Sequence, residues 1–301
     1  MLASLAAMSA QAATHTLIVS GLGGEPQYEQ RFAKQAEEIA AVARALAEDP
    51  AHVVKLSGEQ ATREAIRRQM KALIERVGED DTVTVVLIGH GSYDGEEYRF
   101  NIPGPDITGS ELQKLLGQLR AREQLIVNTT SASGATIDKW TQPGRVVITA
   151  TKSGGERTAT RFAQYWAEAL KGGDADTNKD DIVTASEAFE YASRQVEAAF
   201  KADVALATEH ACMEGGEIAG ALTVARLGRA AIPATDPEVR ALLAQRAALE
   251  KDLEAVKQQR AALDENAYYD ALEDVLVKFA RLQREIDAKQ GIDPTSPQVS
   301  P

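Results

Sequence analysis

Residues 82–89 read TVTVVLIG, eight positions without a charge and with β-branched side chains at most of them. β-Branched residues favour extended backbone, and a strand apolar on both faces has to be covered on both faces. Shorter runs of the same kind recur at 16–20 (TLIVS), 52–56 (HVVKL), 124–128 (QLIVN) and 145–150 (RVVITA). Between them lie segments with helical spacing. Residues 28–48 put Phe32, Ala36, Ile39, Ala40 and Val42 on one side, and 60–77, 108–120, 157–171 and 184–201 follow suit. This βαβα order predicts an α/β fold, a mostly parallel sheet with helices on both faces, whose ligand sites lie at the carboxyl ends of the strands.

Composition narrows the function. The chain has 301 residues, 33 Lys and Arg against 45 Asp and Glu, and a formal charge of −12. An acidic chain without a basic block is not built to bind nucleic acid or anionic lipid. One cysteine, Cys212, excludes an intrachain disulfide framework and any multi-cysteine metal site. Beyond the N-terminus, no stretch reaches the ~18 apolar residues of a membrane span. Residues 1–13, MLASLAAMSAQAA, end in the small-x-small pattern Ala10-Gln11-Ala12 and read as a signal peptide, which makes the mature protein periplasmic or secreted.

Residues 14–232 form the expected α/β domain. In 233–290, Val239, Leu242, Leu249, Leu253, Val256 and Leu263 make one apolar stripe, interrupted by Arg246 and Arg260. Leu272, Val275, Phe279, Leu282 and Ile286 make a second, and Asp264-Glu265-Asn266 can turn the chain between them. This predicts an antiparallel, coiled-coil-like helical hairpin, a possible docking place for a partner helix over 236–290. Residues 291–301 read as a disordered tail.

Two strand ends carry candidate chemistry. LIGHGSYDG places His90 and Gly91 at one carboxyl edge; LIVNTTSASG places Thr129, Thr130, Ser131, Ser133 and Gly134 at the next. A histidine beside a serine, with the Gly91 amide and those of the following turn, supplies a general base, a nucleophile and an oxyanion hole. The plainer alternative is a turn and a helix cap.

A strand ending in GHG, about forty residues, and a strand ending in x-Cys-x-Ser-Gly is the pattern of the caspase–legumain group of cysteine peptidases. This chain resembles it from about residue 14 to 230, including RVVITATKSGGERTATRF at 145–162, in the variety found in bacterial exported proteins. The resemblance implies the caspase–hemoglobinase fold, His90 as catalytic histidine, Gly91 as oxyanion-hole residue, and 151–157 as a substrate-reading loop. The chain departs from it at the nucleophile: Ser131 stands in the cysteine position, and Cys212 lies about 80 residues downstream. A serine hydroxyl ionises far above a thiol and needs a firmly oriented base, usually a histidine held by a carboxylate. Asp94 and Glu96 are near in sequence but not evident partners, and Thr130 is one residue out of register. The expectation is a pseudopeptidase that binds a peptide or protein segment at the strand-end cleft or scaffolds partners. One alternative is an active endopeptidase using Ser131 and His90; another is a Ca²⁺-stabilised adaptor acting through the hairpin.

Residues 176–187, DTNKDDIVTASE, repeat the oxygen-donor spacing of an EF-hand loop: Asp176, Asn178, Asp180, the Ile182 carbonyl, Thr184 and Glu187 at positions 1, 3, 5, 7, 9 and 12. Asp181 replaces the glycine usual at position 6. The loop is expected to bind a structural Ca²⁺; the alternative is a solvated acidic turn capping the next helix. His15 and His52 read as packing residues and Cys212 as a half-buried small residue. Tyr165, Trp166, Phe189 and Tyr191 read as contacts of the flanking helices.

Overall fold

The computed structural model of the chain describes residues 12–228, 237–261 and 263–289. The expected leader, apart from its last two positions, and the 291–301 tail lie outside the described residues. The chain divides into two compact units, residues 1–231 and 232–301.

In the first unit the order is β1 (Thr14–Ser20), α1 (Pro26–Leu46), β2 (Val53–Ser57), α2 (Arg63–Arg76), β3 (Thr82–Ile88), β4 (Gly91–Tyr93), β5 (Tyr98–Phe100), β6 (Ile107–Thr108) and α3 (Gly109–Leu116). There follow β7 (Glu123–Asn128), α4 (Ile137–Trp140), β8 (Arg145–Thr149), α5 (Phe162–Ala169), β9 (Ile182–Thr184), α6 (Ala185–Ala202), β10 (Cys212–Glu214), α7 (Gly216–Ala219) and β11 (Thr223–Arg226). The main sheet runs β10-β8-β7-β3-β1-β2, parallel throughout except for β10, which closes one edge antiparallel to β8. Its strands are apolar on both faces because both are covered. Ile18, Val86, Ile88, Val127 and Ile148 meet α1, α5 and α6 on one side. Leu17, Val19, Val85, Leu87 and Ile126 meet α2, α3 and Trp140 of α4 on the other. Each such side chain contributes about 1.5–3 kcal/mol when fully buried.

Local signals set the helix starts. Thr62 and Thr108 accept hydrogen bonds from the Ala65 and Glu111 amides at the heads of α2 and α3. Thr184 and Glu187 form a reciprocal capping box at α6. The small sheet β4-β5-β6 and the β9–β11 pair, strands of two to four residues, go beyond what periodicity predicts. Cys212 lies in β10, opposite Thr149.

The second unit contains α8 (Pro237–Gln258) and α9 (Glu265–Lys289). Asp264 accepts the Ala267 amide at the start of α9, and Lys289 pairs with Glu238 at the far ends, so the helices are antiparallel. Leu242, Leu282 and Ile286 share one buried cluster. Arg246 does not break the seam: 3% exposed, it donates to Gln283 across the hairpin at 2.8 Å and pairs with Glu250.

Candidate functional site at the carboxyl rim

Register places the two motifs side by side. Leu87 of β3 lies opposite Asn128 of β7 in a parallel ladder, so His90 and Ser131 each sit three residues beyond a matched pair. The Thr129 amide continues the ladder by donating to the Leu87 carbonyl at 2.9 Å. Gly91 then packs against the next strand end: a Cβ there would collide with the Ser131 carbonyl and lie 2.6 Å from the Tyr98 ring and 2.8 Å from Thr130 Oγ1. Glycine is required by that approach. The Asn101 amide donates to the His90 carbonyl at 3.1 Å, and bonded and unbonded pairs alternate along an antiparallel ladder. Gly91, opposite Phe100, therefore keeps its N–H out of the β4–β5 ladder. The Ser131 amide has no hydrogen-bond partner among the described residues.

The imidazole leans the other way, towards β1. His90 Nε2 lies 3.1 Å from the Gly23 carbonyl, and the Tyr28 and Phe32 rings approach it edge-on at 5.1 Å each. A carbonyl only accepts, so Nε2 carries the proton of the neutral ring and Nδ1 the lone pair. Burial pushes the His90 pKa below its ordinary value, opposed by the Gly23 bond. The ring is thus neutral at neutral pH. Gly23 is held in turn, because its N–H donates to Glu29 Oε1 at 2.8 Å and a Cβ on it would strike the Glu29 amide. The carbonyl that orients His90 is the part sequence reasoning missed. Its signal was the GLGG turn closing the first strand.

Ser131 is 1% exposed, and its Oγ is buried without a hydrogen-bond partner. No hydrogen bond joins it to His90. Thr130 is spoken for: its Oγ1 lies 2.6 Å from Tyr98 Oη, 2.9 Å from Asn128 Oδ1 and 3.1 Å from the Ser131 carbonyl. The rest of the SASG motif clamps the 151–157 loop. Ser133 Oγ and Thr151 Oγ1 lie 3.1 Å apart, and the Gly134 amide donates to Thr151 Oγ1 at 2.8 Å. Ala132, left-handed at φ 56°, donates to the Glu156 carbonyl at 2.7 Å. The Glu156 carboxylate meets His210 Nδ1 at 2.5 Å. Asp94 is turned to Arg99 and to the Glu96 and Glu97 amides, not to His90.

In the 176–187 loop, Asp181 adopts φ 64°, the left-handed conformation that position 6 demands, and Lys179 adopts φ 60°. Asp176 accepts the Asp180 and Asp181 amides. Glu187 accepts from Thr177 and Thr184. Asn178 and Asp180 bond each other, and the Ile182 amide donates to Asp180. Burial, then the nearby Asp176 and Glu187 charges, push the Asp180 carboxyl up. Ile182–Thr184 is paired by β11, with Val183 fully buried. Among the described residues, no group of three or more His, Cys, Asp or Glu side chains is arranged to hold a metal ion. No helix among them is long and apolar enough to cross a membrane.

No protein-family model matches the chain, and no curated protein matches it. Among solved structures it is similar to protein GSU0716 of Geobacter sulfurreducens, with a TM-score of 0.45 and 11% identity over 67% of this chain and 92% of that one.

Proposed function

We propose that this chain is an exported protein of the caspase–legumain peptidase type that holds a peptide or protein segment at its strand-end cleft without cutting it. The observation that carries this is the buried Ser131 hydroxyl, which stands where the family has its thiol and makes no hydrogen bond to His90. A hydroxyl has to pass its proton to the base as it attacks, so a pair without that bond lacks the first step of acyl transfer. The Gly91 and Ser131 amides, both outside the local ladders, suit a peptide carbonyl held rather than attacked. Exposure of the folded chain to a fluorophosphonate, followed by peptide mapping, is expected to leave Ser131 unmodified. Stoichiometric labelling there, lost in His90→Ala, would overturn the proposal.

A second reading keeps Ser131 as an active nucleophile. It is favoured by the tautomer that Gly23 imposes, which leaves Nδ1 of a neutral His90 free to take a proton. The same labelling decides between the two.

The 176–187 loop is proposed to take Ca²⁺ through Asp176, Asn178, Asp180, the Ile182 carbonyl, Thr184 and Glu187. The residue types are hard oxygen donors at EF-hand spacing, and burial, with the Asp176 and Glu187 charges beside it, raises the Asp180 carboxyl, a strain that a bound dication would relieve. The carboxylates would have to turn partly from the loop amides that now occupy them. A helical partner on the second unit is supported by Tyr269, Leu276 and Val277, apolar side chains of α9 that are 40–50% exposed. Truncation after about residue 233, with partner recovery measured by pull-down, separates this role from binding at the cleft.

A further inference from the structure

The end of the sheet opposite the candidate site holds a carboxylate with an unusual set of neighbours. Asp81 precedes β3, and its side chain is 16% exposed. Its Oδ1 accepts the Ala13 amide at 2.8 Å, and its Oδ2 accepts the Gly78 amide at 2.8 Å. Its one ion-pair neighbour among the described residues is His15, with Nε2 3.7 Å from Oδ2. His15 is 2% exposed and packs against His52, the two rings tilted by 32° with centroids 4.2 Å apart. Burial, and then His52, push the His15 pKa down, so it brings no cation to Asp81 at neutral pH. The other charged neighbours are Arg76, which also depresses His15, and Glu48, which accepts the Thr14 amide at 2.8 Å.

Two independent observations fall on one peptide bond. The sequence pattern Ala10-Gln11-Ala12 marks hydrolysis between Ala12 and Ala13, one residue short of the end of the 1–13 segment read as the leader. Among the described residues, Ala13 is the first that is fixed at both ends: its N–H is on Asp81 and its carbonyl accepts the Thr82 amide at 2.9 Å. Ala12, one step earlier, is exposed. We propose that the chain is cut between Ala12 and Ala13 by an export-processing peptidase, and that the ammonium group formed at Ala13 becomes the counter-ion of Asp81. Water adds across the peptide bond, Ala12 leaves as a carboxylate, and the Ala13 amine takes up a proton. A hydrogen bond in which only the carboxylate is charged is thereby replaced, at the same atoms, by one in which donor and acceptor both carry charge.

The processing step rests on the export reading; the pairing is tested without it. Intact mass of the full chain recovered from an exporting bacterium is expected to give Ala13 as the first residue, and any other start overturns the cleavage. A chain made to begin at Ala13 is then compared with the same chain acetylated at Ala13. A paired ammonium titrates above the free α-amino range of about 7.7–8.0, so its contribution is complete below that range and lost as pH rises through the folded value. The free-amine chain is expected to show an about tenfold higher folded-to-unfolded ratio at neutral pH, one unit of amine pKa. That gap closes towards about pH 10 and is absent in Asp81→Asn. Equal ratios for the free and acetylated chains at neutral pH overturn the pairing, whatever Ser131 proves to do.

Discussion

Gly91 lies so close to the Ser131 carbonyl that not even a methyl group fits between the two strand ends. The contact fixes the spacing of the rim, because its neighbours are backbone, the buried Tyr98 ring and the hydrogen-bonded Thr130 hydroxyl. Gly91→Ala is therefore expected to lose about 1–3 kcal/mol in urea denaturation, the range for overpacking a tight site. Gly173→Ala is the control, since nothing lies within 4 Å of its added carbon. It should stay within about 0.5 kcal/mol of the parent.

The neighbouring hydroxyls of 130 and 131 make opposite predictions. Ser131 Oγ is buried and unpaired, and an unsatisfied buried hydroxyl costs about 1–3 kcal/mol. Ser131→Ala should raise stability, by up to about 1 kcal/mol once the lost packing is set against the relief. Thr130→Val keeps the shape but strips Tyr98 and Asn128 of a partner, so it should cost about 1–3 kcal/mol. Denaturation midpoints of the two variants, moving in opposite directions, are the check; a loss in both would mean that Ser131 Oγ has a partner after all.

The His90 ring offers a direct reading of its surroundings. Burial lowers its pKa, so it should titrate below the ordinary 6.5 when followed by imidazole proton NMR. Phe32→Ala opens one side of the ring to water and should move the midpoint back up. An unmoved midpoint in that variant would place the cause elsewhere.

The sheet was legible because its strands are pure cases. A run such as 82–89, apolar on both faces, has few places to go other than the middle of a parallel sheet, and β3 is central. The rim motifs were legible for a related reason: His90 and Ser131 each lie three residues beyond the matched pair Leu87 and Asn128 at the ends of such runs, so register alone brings them level. What the sequence hid was long-range or very short. The Gly23 carbonyl that orients His90 is a backbone group 67 residues away. Strands β4, β5 and β6 are too brief to show a period, and Arg246 looked like a flaw in an apolar stripe until Gln283 was opposite it.

Glu187 serves two masters, the α6 capping box and position 12 of the proposed Ca²⁺ loop. Glu187→Gln can keep the capping box, which an amide serves as well, but should cost about 0.5–1.5 kcal/mol in chelator, because its single oxygen cannot accept from both Thr177 and Thr184. In excess Ca²⁺ the parent chain should melt higher and the variant should not, because a bidentate carboxylate is replaced by a neutral amide. A parent melting temperature unchanged by Ca²⁺ would leave Glu187 with its capping role only.

Glu209 sets the opposite pH limb from the buried histidines. It is 4% exposed and accepts the Arg161 and Phe162 amides at 2.7 and 2.8 Å, at the head of α5. Burial outweighs those bonds and pushes its carboxyl up to about 7 from the ordinary 4.5. Between those values the folded chain holds a proton that the unfolded chain has released, so stability is complete below 4.5 and falls as pH rises towards 7. His15 and His90, both depressed, act in the other direction: unfolded imidazoles take protons first, so stability falls as pH drops below about 6.5. The two limbs overlap and should place the maximum in the mildly acidic range. Glu209→Gln cannot titrate, and should match the parent near pH 4 while exceeding it above pH 7 by at most about 3 kcal/mol. Chemical denaturation from about pH 4 to 8 reads both limbs, and a variant less stable than the parent at pH 8 would show that the Glu209 charge is welcome at the head of α5.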